Sequence, residues 1–201
     1  MEKDIVIIKY NAGNIRSVLF ALERLGFTGT VTDDPLDIRQ ATHVIFPGVG
    51  AANSAMPYLI ERGLDDVIRS LKQPFLGICL GMQLMCSHSE ENDTECLGLF
   101  DIAVKKFPPV DQDGNALKIP HMGWNRLEAL RSPLFRGLGQ DSFCYFVHSY
   151  YAERSEYTIA ETQYGLPFSS ALQQENFYGV QFHPEKSADI GERILKNFLS
   201  I

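Results

Sequence analysis

Residues 74–83 read PFLGICLGMQ, an apolar run that leads into a cysteine with one glycine two residues before it and another two residues after it. Residues 75–78 predict a buried strand, and Cys79 follows that strand directly. A nucleophile raised on a sharp turn from strand to helix needs small residues at these two places, because side chains there would collide with the neighbouring backbone. The spacing of Gly77 and Gly81 therefore predicts an exposed thiol at a strand end.

A cysteine at the start of a helix is well placed for nucleophilic chemistry. The unpaired N–H groups and the helix dipole favour the thiolate, and the amide of Leu80 would be free for an oxyanion hole. The alternative for Cys79 is a buried core cysteine, the commoner fate of a cysteine after an apolar strand. The two glycines favour the nucleophile. Cys86, Cys96 and Cys144 lack such flanks and are interpreted as small core or surface residues.

A second motif near the other end of the chain, residues 179–185, reads GVQFHPE. Pro184 is expected to keep the backbone extended, so that His183 and Glu185 project to the same side. His183 would take the thiol proton and later protonate the departing amine, while Glu185 would orient the imidazole and favour its charged form. An isolated H-P-E would more often be a strand-end histidine beside a solvated carboxylate. Its combination with the cysteine motif favours catalysis.

The first half of the chain alternates short apolar runs with stretches of helical period. The runs at 5–8, 44–46 and 75–78 predict buried strands, with the second broken by Pro47-Gly48. The helix before the third strand is expected to be interrupted by Pro74. This alternation is typical of β-α-β units around a parallel sheet.

The second half has a different pattern. Segments 143–151, 157–164 and 177–182 are aromatic and rich in β-formers, which predicts antiparallel strands. An apolar stripe in residues 190–198 predicts one closing helix that docks on the sheet. The expected fold class is α/β, with a mostly parallel central sheet flanked by helices, additional antiparallel strands in the second half, and a single domain over residues 1–201.

Composition narrows the range of partners. The formal charge of −7 argues against nucleic acid or an anionic membrane surface, because there is no basic field to attract either. No apolar run approaches the roughly 20 residues that span a bilayer, so a cytoplasmic location is expected. The histidines and cysteines lack metal-ligand spacing, and we expect neither a metal nor a cofactor.

Three motifs together resemble the class I, triad-type glutamine amidotransferases: PGVG at 47–50, GICLGMQ at 77–83 and YGVQFHPEKS at 178–187. The resemblance covers nearly the whole chain. It implies an α/β fold in which Cys79, His183 and Glu185 form a triad that converts glutamine to a glutamyl thioester and releases ammonia.

The resemblance also implies further site residues. The Val49 amide would join Leu80 in the oxyanion hole, with Gly48 permitting the backbone to rearrange. Residues in positions that hold the α-amino and α-carboxyl groups of glutamine, or lie beside that pocket, are Gly50, Gln83, Glu91, Ser149 and Tyr150. For Glu91, in the acidic segment 90–95, solvated charge is the alternative.

Other segments point to a branch of this family. PHMGWN at 120–125, NAGN at 11–14 and FVHSY at 146–150 resemble glutaminases that dock on a separate, barrel-shaped cyclase in histidine biosynthesis. The expected partner is that cyclase, in a heterodimer. The residues that relatives present to it correspond to Asn14, Trp124, Tyr145 and Lys186.

Several alternatives stay open at this stage. Trp124 could be a core aromatic, and Lys186 an ordinary surface lysine. A stand-alone γ-glutamyl hydrolase would use the same nucleophile without the PHMGWN segment. Glutaminases that serve anthranilate, pyridoxal phosphate or guanylate synthesis are nearer alternatives, and a non-catalytic binding module with the same fold is a more distant one. The absence of a phosphate-binding loop indicates that a phosphorylated acceptor would bind on another chain.

Overall fold

A computed structural model describes residues 3–11 and 14–201. Ala12 and Gly13, which belong to the NAGN segment, lie outside the described residues. The strands are β1 (Ile5–Ile8), β2 (Gly29–Thr32), β3 (His43–Gly48), β4 (Phe75–Cys79), β5 (Cys86–Ser89), β6 (Thr94–Glu95), β7 (Phe100–Lys106), β8 (His121–Arg126), β9 (Phe143–His148), β10 (Tyr150–Ala152), β11 (Thr158–Tyr164), β12 (Leu166–Gln174) and β13 (Phe177–Val180). The helices are α1 (Ile15–Arg24), α2 (Pro35–Gln40), α3 (Ala52–Glu61), α4 (Leu64–Ser70), α5 (Leu80–Met85) and α6 (Ala188–Phe198), with 3₁₀ turns at Pro133–Phe135 and Pro184–Lys186.

One large sheet organises the chain, in the order β2-β1-β3-β4-β13-β12-β10-β7-β5-β6, with β11 paired to β12. The strands from β2 to β13 in this order are all parallel, whereas β12, β10 and β11 join by antiparallel pairing. The predicted α/β class is therefore confirmed. β13 pairs with β4 in parallel, with Val180 opposite Ile78. The cysteine motif and the histidine–glutamate motif therefore lie side by side at the carboxyl ends of these two strands.

Alternating side chains of the central strands build a core on both faces of this sheet. Val6 and Ile8 pack with α3, α4 and α5, while Ile5 and Ile7 pack on the other face with α1 and α6. Since successive strand residues point to opposite faces, an uninterrupted apolar run such as β1 indicates a strand covered by helices on both sides.

A separate two-stranded ribbon is formed by β8 and β9, with Trp124 opposite Tyr145. The predicted segment 143–151 is therefore two strands rather than one. It divides at Ser149, and β10 enters the large sheet while β9 stays in the ribbon.

Two predicted element ends were wrong. β3 continues through Pro47 and Gly48, which pair with β4, whereas its pairing with β1 stops at Ile45. The missing N–H of Pro47 therefore removes no hydrogen bond on the β1 side. Helix α4 ends at Ser70, and Leu71 is already extended, so this helix stops before Pro74 is reached. No helix in residues 3–11 or 14–201 combines the length and apolar character needed to cross a bilayer.

Candidate active site

Cys79 occupies a strained turn between β4 and α5. Its φ of 54° and ψ of −109° lie outside the regions that L-residues ordinarily adopt. The glycines on either side are required sterically. A Cβ at Gly81 would lie 1.9 Å from the carbonyl oxygen of Phe46, and a Cβ at Gly77 would lie 2.4 Å from Sδ of Met85. Cys79 is only 7% exposed, so the prediction of an exposed thiol was wrong: the residue is buried in the wall of a cavity and is not raised into solvent.

His183 and Glu185 form a buried pair just beyond β13. Nδ1 of His183 lies 2.8 Å from Oε1 of Glu185, and each side chain is 1% exposed. A solvated Glu185 is thereby excluded. The expected extended backbone across Pro184 was wrong, because Pro184–Lys186 is a 3₁₀ turn closed by the Lys186 N–H, which donates to the His183 carbonyl at 3.0 Å.

The environment of the imidazole sets its charge. Burial lowers the pKa of His183, but hydrogen bonds and charge interactions with Cys79 and Glu185 outweigh burial and raise the pKa to about 10. The carboxylate accepts from Nδ1, so Nε2 is the atom left to exchange a proton with the thiol. Nε2 makes no other hydrogen bond within the described part of the chain.

The cavity beside Cys79 has a volume of about 330 Å³. All seven predicted oxyanion and substrate residues line it, namely Val49, Gly50, Leu80, Gln83, Glu91, Ser149 and Tyr150. A larger cavity of about 580 Å³ lies between Arg126 and Gln140 but contains none of these residues. The predicted site residues therefore lie together at the smaller cavity.

Two of the predicted substrate residues have fixed positions. Nε2 of Gln83 donates to the Tyr150 carbonyl at 3.0 Å, which leaves the Gln83 carbonyl oxygen as an acceptor toward the cavity. Oε2 of Glu91 accepts from the Ala52 N–H at 2.9 Å, at the start of α3. Glu91 is therefore tied to the cavity wall and is not a freely solvated charge.

The residues predicted to face a partner fall into two groups. Trp124 is 54% exposed on the ribbon, which excludes a core role, and it lies edge-on to Tyr145 at 6.3 Å between ring centroids. Lys186 is exposed and directly follows Glu185. Asn14 is different, because its Nδ2 donates to Oε1 of Glu185 at 3.2 Å.

Other residues at the site were not singled out from the sequence. The Tyr10 hydroxyl donates to the Pro47 carbonyl at 2.7 Å, and a Cβ at Gly48 would lie 2.2 Å from that hydroxyl oxygen. Nε2 of Gln181 lies 3.7 Å from Sγ of Cys79. The position of Gln181, two residues before His183 in the same motif, is the one signal that could have indicated its role. Among residues 3–11 and 14–201, no group of histidine, cysteine and acidic side chains could hold a metal ion.

A strained cysteine and a buried histidine–glutamate pair near one cavity are the arrangement expected of a cysteine-dependent amide hydrolase. The family model described as "Glutamine amidotransferase class-I" matches residues 6–201. The chain belongs to that family. Two solved structures share the fold: a glutamine amidotransferase with a TM-score of 0.73 and 20% identity, covering 97% of each chain, and PurLQS from Thermotoga maritima with a TM-score of 0.70 and 17% identity, covering 100% of this chain and 99% of that chain.

Sequence relatives define the branch within the family. Imidazole glycerol phosphate synthase subunit HisH of Bacteroides fragilis is 56% identical over 197 residues, covering 98% of this chain and 99% of the relative. The HisH of Bacteroides thetaiotaomicron is 52% identical with the same coverage, and that of Vibrio cholerae is 44% identical with full coverage of both chains. Within the class-I amidotransferases, the chain is a member of the HisH family, as the PHMGWN segment predicted.

Proposed function

We propose that this chain is the glutaminase subunit of imidazole glycerol phosphate synthase, with Cys79, His183 and Glu185 as its catalytic triad. It hydrolyses glutamine to glutamate and ammonia, and a cyclase subunit consumes the ammonia in histidine biosynthesis. The observation that carries this proposal is the His183 ring, which is held through Nδ1 by a buried carboxylate and lies close enough to the strained Cys79 for the thiol to raise its pKa.

The reaction follows from these contacts. His183, whose pKa is raised, holds the proton taken from Cys79 on Nε2, and the sulfur attacks the side-chain carbonyl carbon of glutamine as the thiolate. The tetrahedral adduct collapses, the C–N bond breaks, and His183 returns the proton to the departing nitrogen, giving ammonia and a glutamyl thioester. Water activated by His183 then cleaves the thioester, releases glutamate and restores the thiol. Glu185 stabilises the imidazolium at each stage.

Backbone amides at the cavity supply the oxyanion hole. The Leu80 N–H stands at the first residue of α5, where amides have no acceptor within the helix. Val49 lines the same cavity from the end of β3. Both amides would stabilise the negative oxygen of the tetrahedral adduct. The Gln83 carbonyl oxygen and the Glu91 carboxylate are suited to the α-ammonium group of glutamine.

Replacement of the nucleophile tests the reaction. Cys79→Ala should abolish glutamine hydrolysis in the complex with the cyclase, whereas synthesis from an added ammonium salt should continue, because the cyclase needs ammonia and not the thiol. Cys144→Ala, at a buried cysteine outside the cavity, is the matched control and should retain hydrolysis. Full glutaminase activity in Cys79→Ala would exclude the assignment.

The ribbon provides the docking surface that we propose for the cyclase. Its outward face, defined by Met122, Trp124, Phe143, Tyr145 and Val147, presents alternate residues of both strands. Three of these apolar side chains are between 44% and 55% exposed, as expected for a surface that a partner covers.

This surface is bonded directly to the triad segment. The Tyr145 carbonyl accepts from the His183 N–H at 2.9 Å, and the Tyr145 N–H donates to Oγ of Ser187 at 2.9 Å. A shift of β9 on docking would therefore be felt at the histidine. On this basis, hydrolysis should be slow in the free chain and fast with the cyclase bound to its nucleotide ligand, since Gly48 allows the oxyanion strand to change orientation.

Docking is tested by titrating the chain with the cyclase. Trp124→Ala should weaken binding by about tenfold or more, as for an aromatic at the centre of an interface. Leu36→Ala, at a residue that is 65% exposed on α2, is the control and should bind like wild type. Equal affinity of the two variants would place the cyclase on another surface, and fast hydrolysis by the free wild-type chain would contradict the activation.

A further inference from the structure

A line of hydrogen bonds passes through the cavity wall and ends at the sulfur of Cys79. Gln181 is fully buried just after β13, and its Nε2 lies 3.7 Å from the sulfur. Its Oε1 accepts from Nε2 of Gln83 at 2.9 Å, and that same nitrogen donates to the Tyr150 carbonyl at 3.0 Å. The reaction described above uses neither polar atom of Gln181.

The chemistry of the Tyr150 carbonyl determines which way both amides point. A carbonyl oxygen only accepts, so the Gln83 atom beside it must be the amide nitrogen. That nitrogen needs a second acceptor, which turns the oxygen of Gln181 toward Gln83. The amide nitrogen of Gln181 is consequently directed at the thiol.

The Tyr150 carbonyl is itself held by two buried histidines. Nδ1 of His148 donates to it at 2.7 Å, and Nε2 of His148 accepts from Nδ1 of His121 at 2.9 Å. Nδ2 of Asn125 completes the line at 3.2 Å from Nε2 of His121. Burial lowers the pKa of His121 to about 4 and that of His148 to about 3, so at neutral pH each ring has one donor and one acceptor.

We infer that Gln181 is a positioning residue for the nucleophile: its side-chain N–H holds the Cys79 sulfur and stabilises the thiolate, and Gln83 directs that N–H. The inference rests on the proposed role of Cys79. Within the described part of the chain, His183 and Tyr10 have pKa values that respond to Cys79, and the titratable side chains of Glu91 and Tyr150 line the same cavity. Gln181 adds an uncharged donor, which favours thiolate over thiol at any pH.

The test measures the rate at which iodoacetamide alkylates Cys79 as a function of pH, by mass spectrometry of the full chain without glutamine. Burial raises the pKa of the other three thiols, at Cys86, Cys96 and Cys144, far above the usual range. Below pH 9 the reaction therefore reports Cys79, and Cys79→Ser gives the background.

Gln181→Met keeps the length of the side chain and removes the donor. We expect the pH midpoint of alkylation to rise by about one unit and the rate at pH 7 to fall about tenfold. Gln181→Glu, which puts a carboxylate beside the sulfur, should raise the midpoint further. The matched control is Gln173→Met, at a glutamine that also makes two side-chain hydrogen bonds, to Ser132 and Tyr178, outside the cavity. It should match wild type.

An unchanged midpoint in folded Gln181→Met overturns the inference, even if glutaminase activity is lost, because Gln181 would then serve substrate binding or packing. If circular dichroism shows that this variant does not fold, the test is made with Gln83→Met. That variant keeps Gln181 but removes the hydrogen bond that orients its amide toward the sulfur. A smaller upward shift is expected there, and no shift overturns the inference. If the midpoints shift but wild type shows no glutaminase activity with the cyclase, the proposed function fails while the contact to the thiol stands.

Discussion

The two strand ends that meet at the active site are held in different ways. Cys79, at the end of β4, is fixed by backbone packing, since a Cβ at Gly81 would lie 1.9 Å from the Phe46 carbonyl oxygen. His183, beyond the end of β13, is fixed by a side-chain hydrogen bond to Glu185, which in turn accepts from Asn14. The position of the proposed nucleophile thus depends on the absence of side chains at two glycines, whereas the position of the proposed base depends on particular polar side chains. The two sides should respond differently to substitution.

The largest effect is expected where packing fixes the nucleophile. Gly81→Ala places its Cβ against the Phe46 backbone, which cannot move without disturbing β3, so unfolding in urea should show a loss of more than about 3 kcal/mol or no folded protein. Gly139→Ala is the control, because a Cβ there meets nothing within 4 Å. Its stability should stay within about 0.5 kcal/mol of wild type. A Gly81→Ala variant as stable as this control would show that β3 yields easily.

This contrast also explains which features the sequence could predict. Steric requirements leave glycines at fixed spacing, so the turn at Cys79 could be predicted from Gly77 and Gly81. The meeting of His183 with Glu185 was predicted as well, but through an extended backbone where the chain forms a 3₁₀ turn.

Two of the polar contacts that support the site could not be predicted. Asn14 is 171 positions from Glu185 and Gln181 is 102 positions from Cys79, so neither contact has a local pattern. The sequence also did not show that the PHMGWN segment has one outward-facing and one inward-facing side. Its motif match indicated an interface for Trp124, but the inward bonds of His121 appear only once the ribbon is paired.

At the histidine–glutamate pair, removal of the carboxylate charge should slow glutamine hydrolysis while leaving the fold intact. Glu185→Gln keeps an oxygen for both His183 and Asn14, so the geometry is retained while the carboxylate charge is lost. We expect kcat of the complex to fall on the order of a hundredfold with little change in KM, since the interaction grows as the imidazolium forms. The pKa of His183 should fall in the same variant.

The control for this prediction is Glu192→Gln, the same chemical change at a surface carboxylate that pairs with Arg24. It should leave both constants unchanged. A rise in KM alone for Glu185→Gln would place Glu185 in the substrate pocket instead of the triad.

A third prediction concerns the pH dependence of stability, to which His121 and His148 should contribute in the opposite direction from His183. His121 and His148 have folded pKa values lowered to about 4 and 3, so the stability linked to them is present above the unfolded value of about 6.5 and is lost as pH falls toward 4. His183, with a folded pKa raised to about 10, contributes stability that is fully present below about 6.5 and is lost as pH rises through 10.

Urea unfolding at pH 7 and pH 5 tests this sign. Protonation of His121 and of His148 in the unfolded chain should each lower the free energy of unfolding at pH 5 by roughly 2 kcal/mol. His148→Gln should therefore reduce the difference in unfolding free energy between pH 7 and pH 5 by roughly that amount. Nuclear magnetic resonance titration of the imidazole protons should show His183 still charged at pH 8. A neutral His183 at that pH would mean that burial outweighs the carboxylate.

The smallest effect is expected at Lys186, which follows Glu185 in the chain but is not part of the histidine–glutamate pair. Its backbone N–H closes the turn on His183, but its side chain is exposed, and an exposed ion pair with a partner is worth at most about 1 kcal/mol. Lys186→Ala should therefore leave hydrolysis by the free chain unchanged and reduce stimulation by the liganded cyclase by up to about fivefold. Lys196→Ala, at an exposed lysine in the last turn of α6, is the matched control.

Both variants are compared by glutaminase rates with and without the cyclase at low and high salt, because screening should abolish a Lys186 effect that arises from charge. Equal stimulation of the two variants at low salt would leave the Tyr145 backbone, and not Lys186, as the route from the ribbon to the histidine.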